Sequence, residues 1–142
     1  FAVKAQQRNI IIEQGRVDAN AYVRGDAGRL RQVCAILMDN ALRYSNPGGQ
    51  VEVQVLKTNE NVEIVFRDNG IGLSEEHSEL VFERFYRAPN AEEQAPGTGL
   101  GLPVAKAIVE SHKGTISLKG KVGEGATATV ILPVWSQFGV VA

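Results

Sequence analysis

The chain has 142 residues, and its 15 Lys and Arg against 16 Asp and Glu give a formal net charge of −1. Its length and ordinary apolar share favour one folded domain over residues 1–142 and exclude a disordered or disulfide-held scaffold. The charge balance excludes binding of nucleic acid or an anionic membrane surface by bulk charge. No apolar run reaches the ~20 residues that a membrane helix needs, and the single cysteine, Cys34, can form no internal disulfide. Because the chain begins with Phe rather than Met, we expect it to be a piece of a longer protein.

The hydrophobic pattern predicts the order β-β-α-β-β-α-loop-α-β-β along the chain. Two short strands are expected at residues 9–13 and 21–24, and Asp26 is placed to cap a helix from Ala27 to Tyr44. The later elements are strands at 51–56 and 62–66, a short helix within 75–85, a loop over 87–98, a helix over 99–112, and strands at 115–119 and 127–132. This order predicts an α/β sandwich of the α+β class, in which helices cover one face of a mixed, mostly antiparallel sheet.

Seven of the 15 glycines fall into three short groups. Glycine permits positive φ and lets the backbone approach a ligand closely. The middle group, Gly97-Thr98-Gly99-Leu100-Gly101-Leu102, runs into a predicted helix start, whose free N–H groups and positive dipole suit phosphate. A turn that only starts the helix fits the same residues, and the pattern lacks the Gly-Lys-Ser/Thr of a P-loop. The groups are Gly70 and Gly72; Gly97, Gly99 and Gly101; and Gly123 and Gly125.

Polar residues at two other positions border the predicted buried elements. Asn40 lies at the edge of the apolar stripe of the first helix, so its amide oxygen is either a satisfied structural group or a ligand of Mg²⁺. Arg43, one turn further on, is placed to meet a phosphate. Asp68 ends an apolar strand and precedes Asn-Gly, so its carboxylate either forms an Asx turn or accepts the exocyclic amine of a base. The pattern leaves both alternatives open at Asn40 and at Asp68.

Five motifs, in this order and spacing, resemble those of the ATP-binding catalytic domain of sensor histidine kinases, which belong to a wider gyrase-like ATPase superfamily. The resemblance covers residues 9–133 and implies the Bergerat-type ATP-binding fold. The motifs are the asparagine box Arg29-Leu30-Arg31-Gln32-Val33 with Asp39-Asn40-Ala41-Leu42-Arg43-Tyr44-Ser45, the first glycine box Asp68-Asn69-Gly70-Ile71-Gly72-Leu73, the phenylalanine box Val81-Phe82-Glu83-Arg84-Phe85-Tyr86-Arg87, the second glycine box Gly97-Thr98-Gly99-Leu100-Gly101-Leu102, and the third, from Gly123-Glu124-Gly125-Ala126-Thr127 to Leu132-Pro133.

The resemblance implies a site for ATP and Mg²⁺. Asn40 would bind Mg²⁺, and Asp68 would accept the adenine amino group, with Gly72 helping through water. Residues 86–98 would form an ATP lid. The remaining implied contacts are Arg43 and Arg87 to phosphate, Tyr44 near adenine or ribose, Gly70 in the first glycine box, the backbone of Gly99, Leu100, Gly101 and Leu102 to the phosphates, and Thr127 at the adenine end.

Neither histidine fits the family's phosphoacceptor pattern, because His77 is followed by Ser-Glu-Leu and His112 by Lys-Gly. The resemblance therefore implies no catalytic residue in this chain, with the acceptor histidine on a separate dimerisation domain. Three positions depart from the family pattern. Ile36 stands where a second asparagine is frequent, Ala128 where a large residue is common, and Lys113 where glycine is usual.

The implied function is that of an ATP-dependent protein-histidine kinase in two-component signalling. The domain would donate the γ-phosphate of ATP to the dimerisation domain, from which a response regulator would receive it. The resemblance implies a cytoplasmic location with no nucleic-acid or direct membrane contact, whether or not the parent protein is membrane-anchored. Two alternatives stay open: a serine/threonine kinase of the anti-sigma type, and a degenerate nucleotide-binding module. The tail over residues 134–142 has no assigned role.

Overall fold

A computed structural model describes residues 10–44, 48–70, 101–121, 125–136 and 139–140. The short helix predicted within 75–85 and the lid predicted over 86–98 lie outside these residues. Among the described residues, no helix combines the length and the apolar character needed to cross a membrane. The elements are strands β1 Ile11–Val17, β2 Gln50–Lys57, β3 Asn61–Asp68, β4 Thr115–Lys121, β5 Gly125–Pro133, β6 Trp135–Ser136 and β7 Gly139–Val140, and helices α1 Ala27–Tyr44 and α2 Gly101–Ser111.

Five strands form one open, mixed sheet in the order β1-β2-β3-β5-β4. The pairing of β1 with β2 is parallel, and the other three pairings are antiparallel. The predicted α+β class with a mixed, mostly antiparallel sheet is confirmed. The register places Asp68, the last residue of β3, opposite Val51 of β2 on one side and Ala126 of β5 on the other.

Helix α1 begins and ends where the sequence predicts. Asp26 caps it, because its carboxylate accepts the N–H of Arg29 at 3.0 Å and its carbonyl accepts the N–H of Leu30 at 2.9 Å. Val33 and Leu37, on the predicted apolar stripe, are almost fully buried. The spacing of these apolar residues at about one helical turn directs one side of α1 onto the sheet.

The core lies between the two helices and one face of the sheet. Burial of each of its large apolar side chains stabilises the fold by about 1.5–3 kcal/mol. A smaller cluster, formed by Ile10, Ala41, Leu42 and Val51, closes the end of the sheet at which β2 begins. The main cluster consists of Val33, Leu37, Phe66, Ala105, Ile108, Val109, Leu118, Ala128, Val130 and Leu132.

Helix α2 ends in a Schellman motif. The N–H of Gly114 donates to the carbonyl of Val109, and the N–H of Lys113 donates to that of Glu110, both at 3.0 Å. Lys113 takes the left-handed position of this motif, with φ of 62°. Glycine is the residue best suited to that conformation, so the departure noted at Lys113 places a side chain where the backbone disfavours one.

The strand predicted at residues 21–24 is wrong, because this segment has no regular secondary structure. A turn with positive φ at Asn20 precedes it, and its N–H and C=O groups form isolated bonds in place of a ladder. The carbonyl of Tyr22 accepts the N–H of Trp135 at 2.8 Å. The tail, to which no role was assigned, contributes Trp135–Ser136 and Gly139–Val140, which pair as a two-stranded sheet.

Candidate nucleotide site

Asp68 lies at the end of the central strand β3 and is half-buried. Its carboxylate accepts the N–H of Gly70 at 2.8 Å and a second backbone N–H, from Ala126. Burial raises the pKa of Asp68 to about 6, although these two bonds oppose the shift. At neutral pH the side chain is therefore an ionised acceptor in a partly desolvated position, where a further hydrogen-bond donor stabilises it.

The first and third glycine motifs meet at Asp68. Gly125 has a φ of +92°, and a Cβ added there would overlap the carbonyl oxygen of Asp68. Only glycine satisfies both conditions, so this residue lets β5 begin in direct contact with the end of β3. On the side of β2, Asn69 joins the end of β3 to this strand, because its Oδ1 accepts the N–H of Gln50 at 3.0 Å. Backbone contacts from both neighbouring strands therefore fix the position of Asp68.

The N-terminus of α2 faces the side of α1 that carries Asn40. A Cβ added at Gly101 would lie 3.3 Å from Cγ2 of Ile36, so α1 and α2 approach closely there. Asn40 follows Ile36 by one turn, ~6 Å along the helix axis, and is half-buried. No acidic residue lies in the first turn of α2. The positive end of its dipole therefore meets no acidic side chain within the helix itself, which suits an anion at this end.

The donor set near Asn40 fits Mg²⁺ rather than a tightly held structural metal. The described residues contain no group of three or more His, Cys, Asp or Glu that could hold an ion. Mg²⁺ commonly takes one or two protein oxygens and completes its shell with water and phosphate. The amide oxygen of Asn40 is a ligand of that kind, and Ile36 supplies none.

The structure places some of the other predicted site residues near Asp68 or at the start of α2, and others lie outside the described residues. Gly70 is buried beside Asp68, while Gly101 and Leu102 begin α2. Thr127 pairs with Arg67, one residue before Asp68, and so projects from the opposite face of the sheet. Asp68 and Thr127 nonetheless line one groove of about 590 Å³. The backbones of Arg43 and Tyr44 form the last turn of α1, but the structure does not describe their side chains. Gly72, Arg87, Gly99 and Leu100 lie outside the described residues.

Sequence reasoning missed one contributor to this site. Ala126 supplies a backbone N–H to Asp68, although its side chain carries no chemistry. The register of β3 against β5, in which Asp68 faces Ala126, determines this contact. The strand pattern in the sequence could have suggested the pairing but not its register.

The model of one protein family matches residues 25–136 of the chain, and its description is histidine kinase-, DNA gyrase B-, and HSP90-like ATPase. The chain belongs to this ATPase family. Sensor protein kinase PmrB of Pseudomonas aeruginosa is 42% identical to the domain over 123 residues, which are 86% of this chain and 26% of PmrB. The chain thus spans about a quarter of the length of this curated relative.

Solved structures agree with the family assignment. The mycobacterial sensor histidine kinase MprB has a TM-score of 0.79 to the ATPase domain at 30% identity, over 94% of this chain and 87% of that chain. These matches confirm the predicted class, the catalytic ATPase domain of sensor histidine kinases.

Two further structures share the fold at lower identity. Full-length ShkA in complex with AMPPNP has a TM-score of 0.81 at 23% identity, over 99% of this chain and 28% of that chain. Histidine kinase ThkA in complex with the response regulator protein TrrA has a TM-score of 0.78 at 22% identity, over 95% of this chain and 37% of that chain. At these identities the likeness shows the fold alone.

Proposed function

We propose that the chain binds ATP with Mg²⁺ and transfers the γ-phosphate to a histidine on a separate dimerisation domain. The observation that carries this proposal is the partly buried, hydrogen-bonded carboxylate of Asp68. Its half-buried carboxylate is held by two backbone N–H groups, and burial raises its pKa to about 6, so a further donor would stabilise the ionised form. An exocyclic amine such as that of adenine supplies this donor, and family membership makes ATP the expected ligand. ShkA, which shares the fold, was solved with AMPPNP.

The phosphates would bind at the start of α2, which is not among the described residues that line the groove at Asp68. The first turn of α2, at Gly101 and Leu102, offers backbone N–H groups and the positive end of the helix dipole. Asn40 would hold Mg²⁺ together with phosphate oxygens and water. When bound, this ion neutralises charge that develops on the transferred phosphoryl group. The predicted contacts of Arg43, Tyr44, Gly72, Arg87, Gly99, Leu100 and Thr127 complete the proposed site.

The proposed reaction requires no nucleophile from this chain. Phosphoryl transfer depends mainly on positioning and on charge neutralisation, which the proposed site supplies. The acceptor imidazole would belong to the dimerisation domain, and a response regulator would take the phosphoryl group next. ThkA, which shares the fold, was solved with the response regulator TrrA. Because ATP and these partners meet inside the cell, we propose that the domain works in the cytoplasm.

A transfer assay tests the proposal. The chain, radiolabelled ATP and Mg²⁺ are mixed with the purified dimerisation domain of the parent kinase, and label on that domain is measured. We expect label that is lost in acid and retained in alkali, as phosphohistidine requires. At ATP concentrations below saturation, Asp68→Asn should reduce labelling roughly ten- to hundredfold. Asp26→Asn should not reduce it, because asparagine caps α1 as well as aspartate does.

Two results would favour the alternative functions. Acid-stable label would indicate a serine/threonine kinase. No label, with nucleotide binding intact, would indicate a degenerate nucleotide-binding module. The naming of PmrB and MprB as sensor kinases supports the histidine kinase over both.

A further inference from the structure

A second groove lies at the end of the sheet remote from Asp68. It has a volume of about 470 Å³, within the range of ligand-binding clefts. Strand β5 connects the two ends, since Ala126 faces Asp68 while Pro133 borders the second groove. The seven steps between them span ~23 Å at the usual rise of a strand. Occupation of this groove therefore leaves the proposed nucleotide site clear.

The groove combines an apolar floor with unpaired positive charge. Leu30 and Leu132 form part of the floor, and Trp135, which is 37% exposed, stands at the side. Arg24 and Lys113 also line it, and none of the described residues that line it is acidic. Within the described ranges, neither of these cationic side chains has a hydrogen bond or an ion pair. The groove is thus locally positive although the whole chain carries a formal net charge of −1.

Unpaired backbone adds to the binding capacity of the groove. Val23 and Arg24 form one wall, in the segment where the predicted strand is absent. In the part of the chain that the structure describes, their N–H and C=O groups make no hydrogen bond, whereas Tyr22 is joined to Trp135. These groups are available to the main chain of a bound peptide.

The wall beside Arg24 is already fixed. The N–H of Asp26 donates to Nε2 of His112 at 3.0 Å, and Nδ1 of the same ring donates to the carbonyl of Ile108 at 2.8 Å. Gly25 lies against this ring, because a Cβ there would overlap the imidazole. The contact ties the start of α1 to the end of α2. A ligand that enters the groove therefore meets a preformed wall, which lowers the entropic cost of binding.

We propose that this groove binds an acidic peptide segment of a partner protein. Carboxylates of the segment would pair with Arg24 and Lys113, an apolar side chain would cover the floor beside Trp135, and the backbone of Val23 would bond to that of the peptide. Charge complementarity selects an acidic occupant over a basic one. The site is independent of the nucleotide, so its test does not depend on the proposed kinase activity.

Tryptophan fluorescence provides a direct test, because Trp135 is the only tryptophan of the chain. The probe is a short, end-blocked peptide of alternating Glu and Leu, and its control carries Lys in place of each Glu. We expect a saturable change with the Glu peptide that weakens as salt is raised. Arg24→Glu and Lys113→Glu should each weaken binding roughly tenfold or more, because they place like charges together. Lys119→Glu, at the other end of the sheet, should leave it unchanged.

Circular dichroism and urea unfolding of each variant confirm that it is folded. The proposal fails if the Glu peptide causes no saturable change at millimolar concentration, or if the Lys peptide causes the same change. It also fails if Lys119→Glu weakens binding as much as Arg24→Glu does. A response to inorganic phosphate alone would reassign the groove to small anions, and a response only to phosphatidylglycerol vesicles would reassign it to a membrane surface.

Discussion

The carboxylate of Asp68 accepts two backbone N–H groups, from Gly70 and Ala126. An ionised carboxylate has about four acceptor positions, so two remain for a ligand. Asp68 can therefore form an Asx turn and accept a ligand at the same time. Because both roles suit the same residue, the sequence alone could not decide between them. The bond to Gly70 forms the Asx turn and also orients the carboxylate.

We predict that adenine binding depends on pH through Asp68. Burial raises the pKa of this carboxyl from 3.8 to about 6. The protonated form keeps only neutral oxygens, which accept the adenine amino group less strongly. Affinity should therefore rise as pH increases through 6 and level off near neutrality, with a loss of at most about tenfold per pH unit below 6. NMR titration with adenosine, which carries no phosphate to titrate, measures this effect. A pH-independent affinity in the wild type, or the same slope in Asp68→Asn, would exclude Asp68 as the acceptor.

We predict that Gly125→Ala strongly destabilises the domain. The new Cβ would overlap the carbonyl oxygen of Asp68 at a residue with positive φ, so we expect a loss of more than about 2 kcal/mol in the free energy of unfolding. Gly48→Ala is the matched control, because Gly48 also has positive φ but open space around it. Its cost should be about 1 kcal/mol, from backbone strain alone. Equal effects of the two changes in urea unfolding would contradict the close contact between β5 and β3.

Helices α1 and α2 each carry part of the proposed site at one end. Helix α1 contributes Asn40, and α2 contributes its first turn at Gly101. Ile36 lies between them and packs partly buried against the main core. The departure from asparagine at this position therefore has a structural role, since an apolar side chain fills the helix contact. It leaves the proposed Mg²⁺ shell with one side-chain ligand fewer.

We predict that Lys113→Gly stabilises the domain. Lys113 has a φ of 62° at the left-handed position of the motif that ends α2, where glycine carries no Cβ penalty. We expect a gain of about 0.5–1 kcal/mol, reduced by the greater freedom of glycine in the unfolded chain. Lys119→Gly is the control, because Lys119 lies within strand β4, where glycine should destabilise. Thermal or urea unfolding that ranks Lys113→Gly below the wild type would contradict the assigned conformation.

Across the whole molecule, features that depend on neighbouring residues were predicted better from the sequence than contacts between distant segments. The bounds of α1 follow from Asp26 and from an apolar stripe, and both lie within the helix or next to it. The β2–β3 hairpin was predicted for the same reason. The strand predicted at residues 21–24 failed because this segment meets a distant partner, Trp135, at a single bond. The contact of Ala126 with Asp68 was missed because it depends on the register of β5. A side-chain pattern does not encode such register.

The two proposed sites lie at opposite ends of the sheet. Asp68 and the start of α2 define the proposed nucleotide end, while Trp135 and His112 mark the groove at the other. The sheet and both helices run between these ends, so a partner segment and a nucleotide would occupy the domain together. The sequence motifs concentrate on the first end. The second could be recognised only once distant segments were brought together.

Calorimetric titration with AMPPNP tests the central claim, that adenine binds at Asp68, most directly. The wild type, Asp68→Asn and the control Asp26→Asn are compared with and without Mg²⁺. A charge-assisted hydrogen bond contributes about 1.5–3 kcal/mol, so Asp68→Asn should weaken binding roughly ten- to hundredfold while Asp26→Asn binds as the wild type does. Removal of Mg²⁺ should weaken the wild type further, as a ligand role for Asn40 requires. Wild-type affinity in Asp68→Asn, or no binding by the wild type at millimolar analogue, would contradict the proposed site.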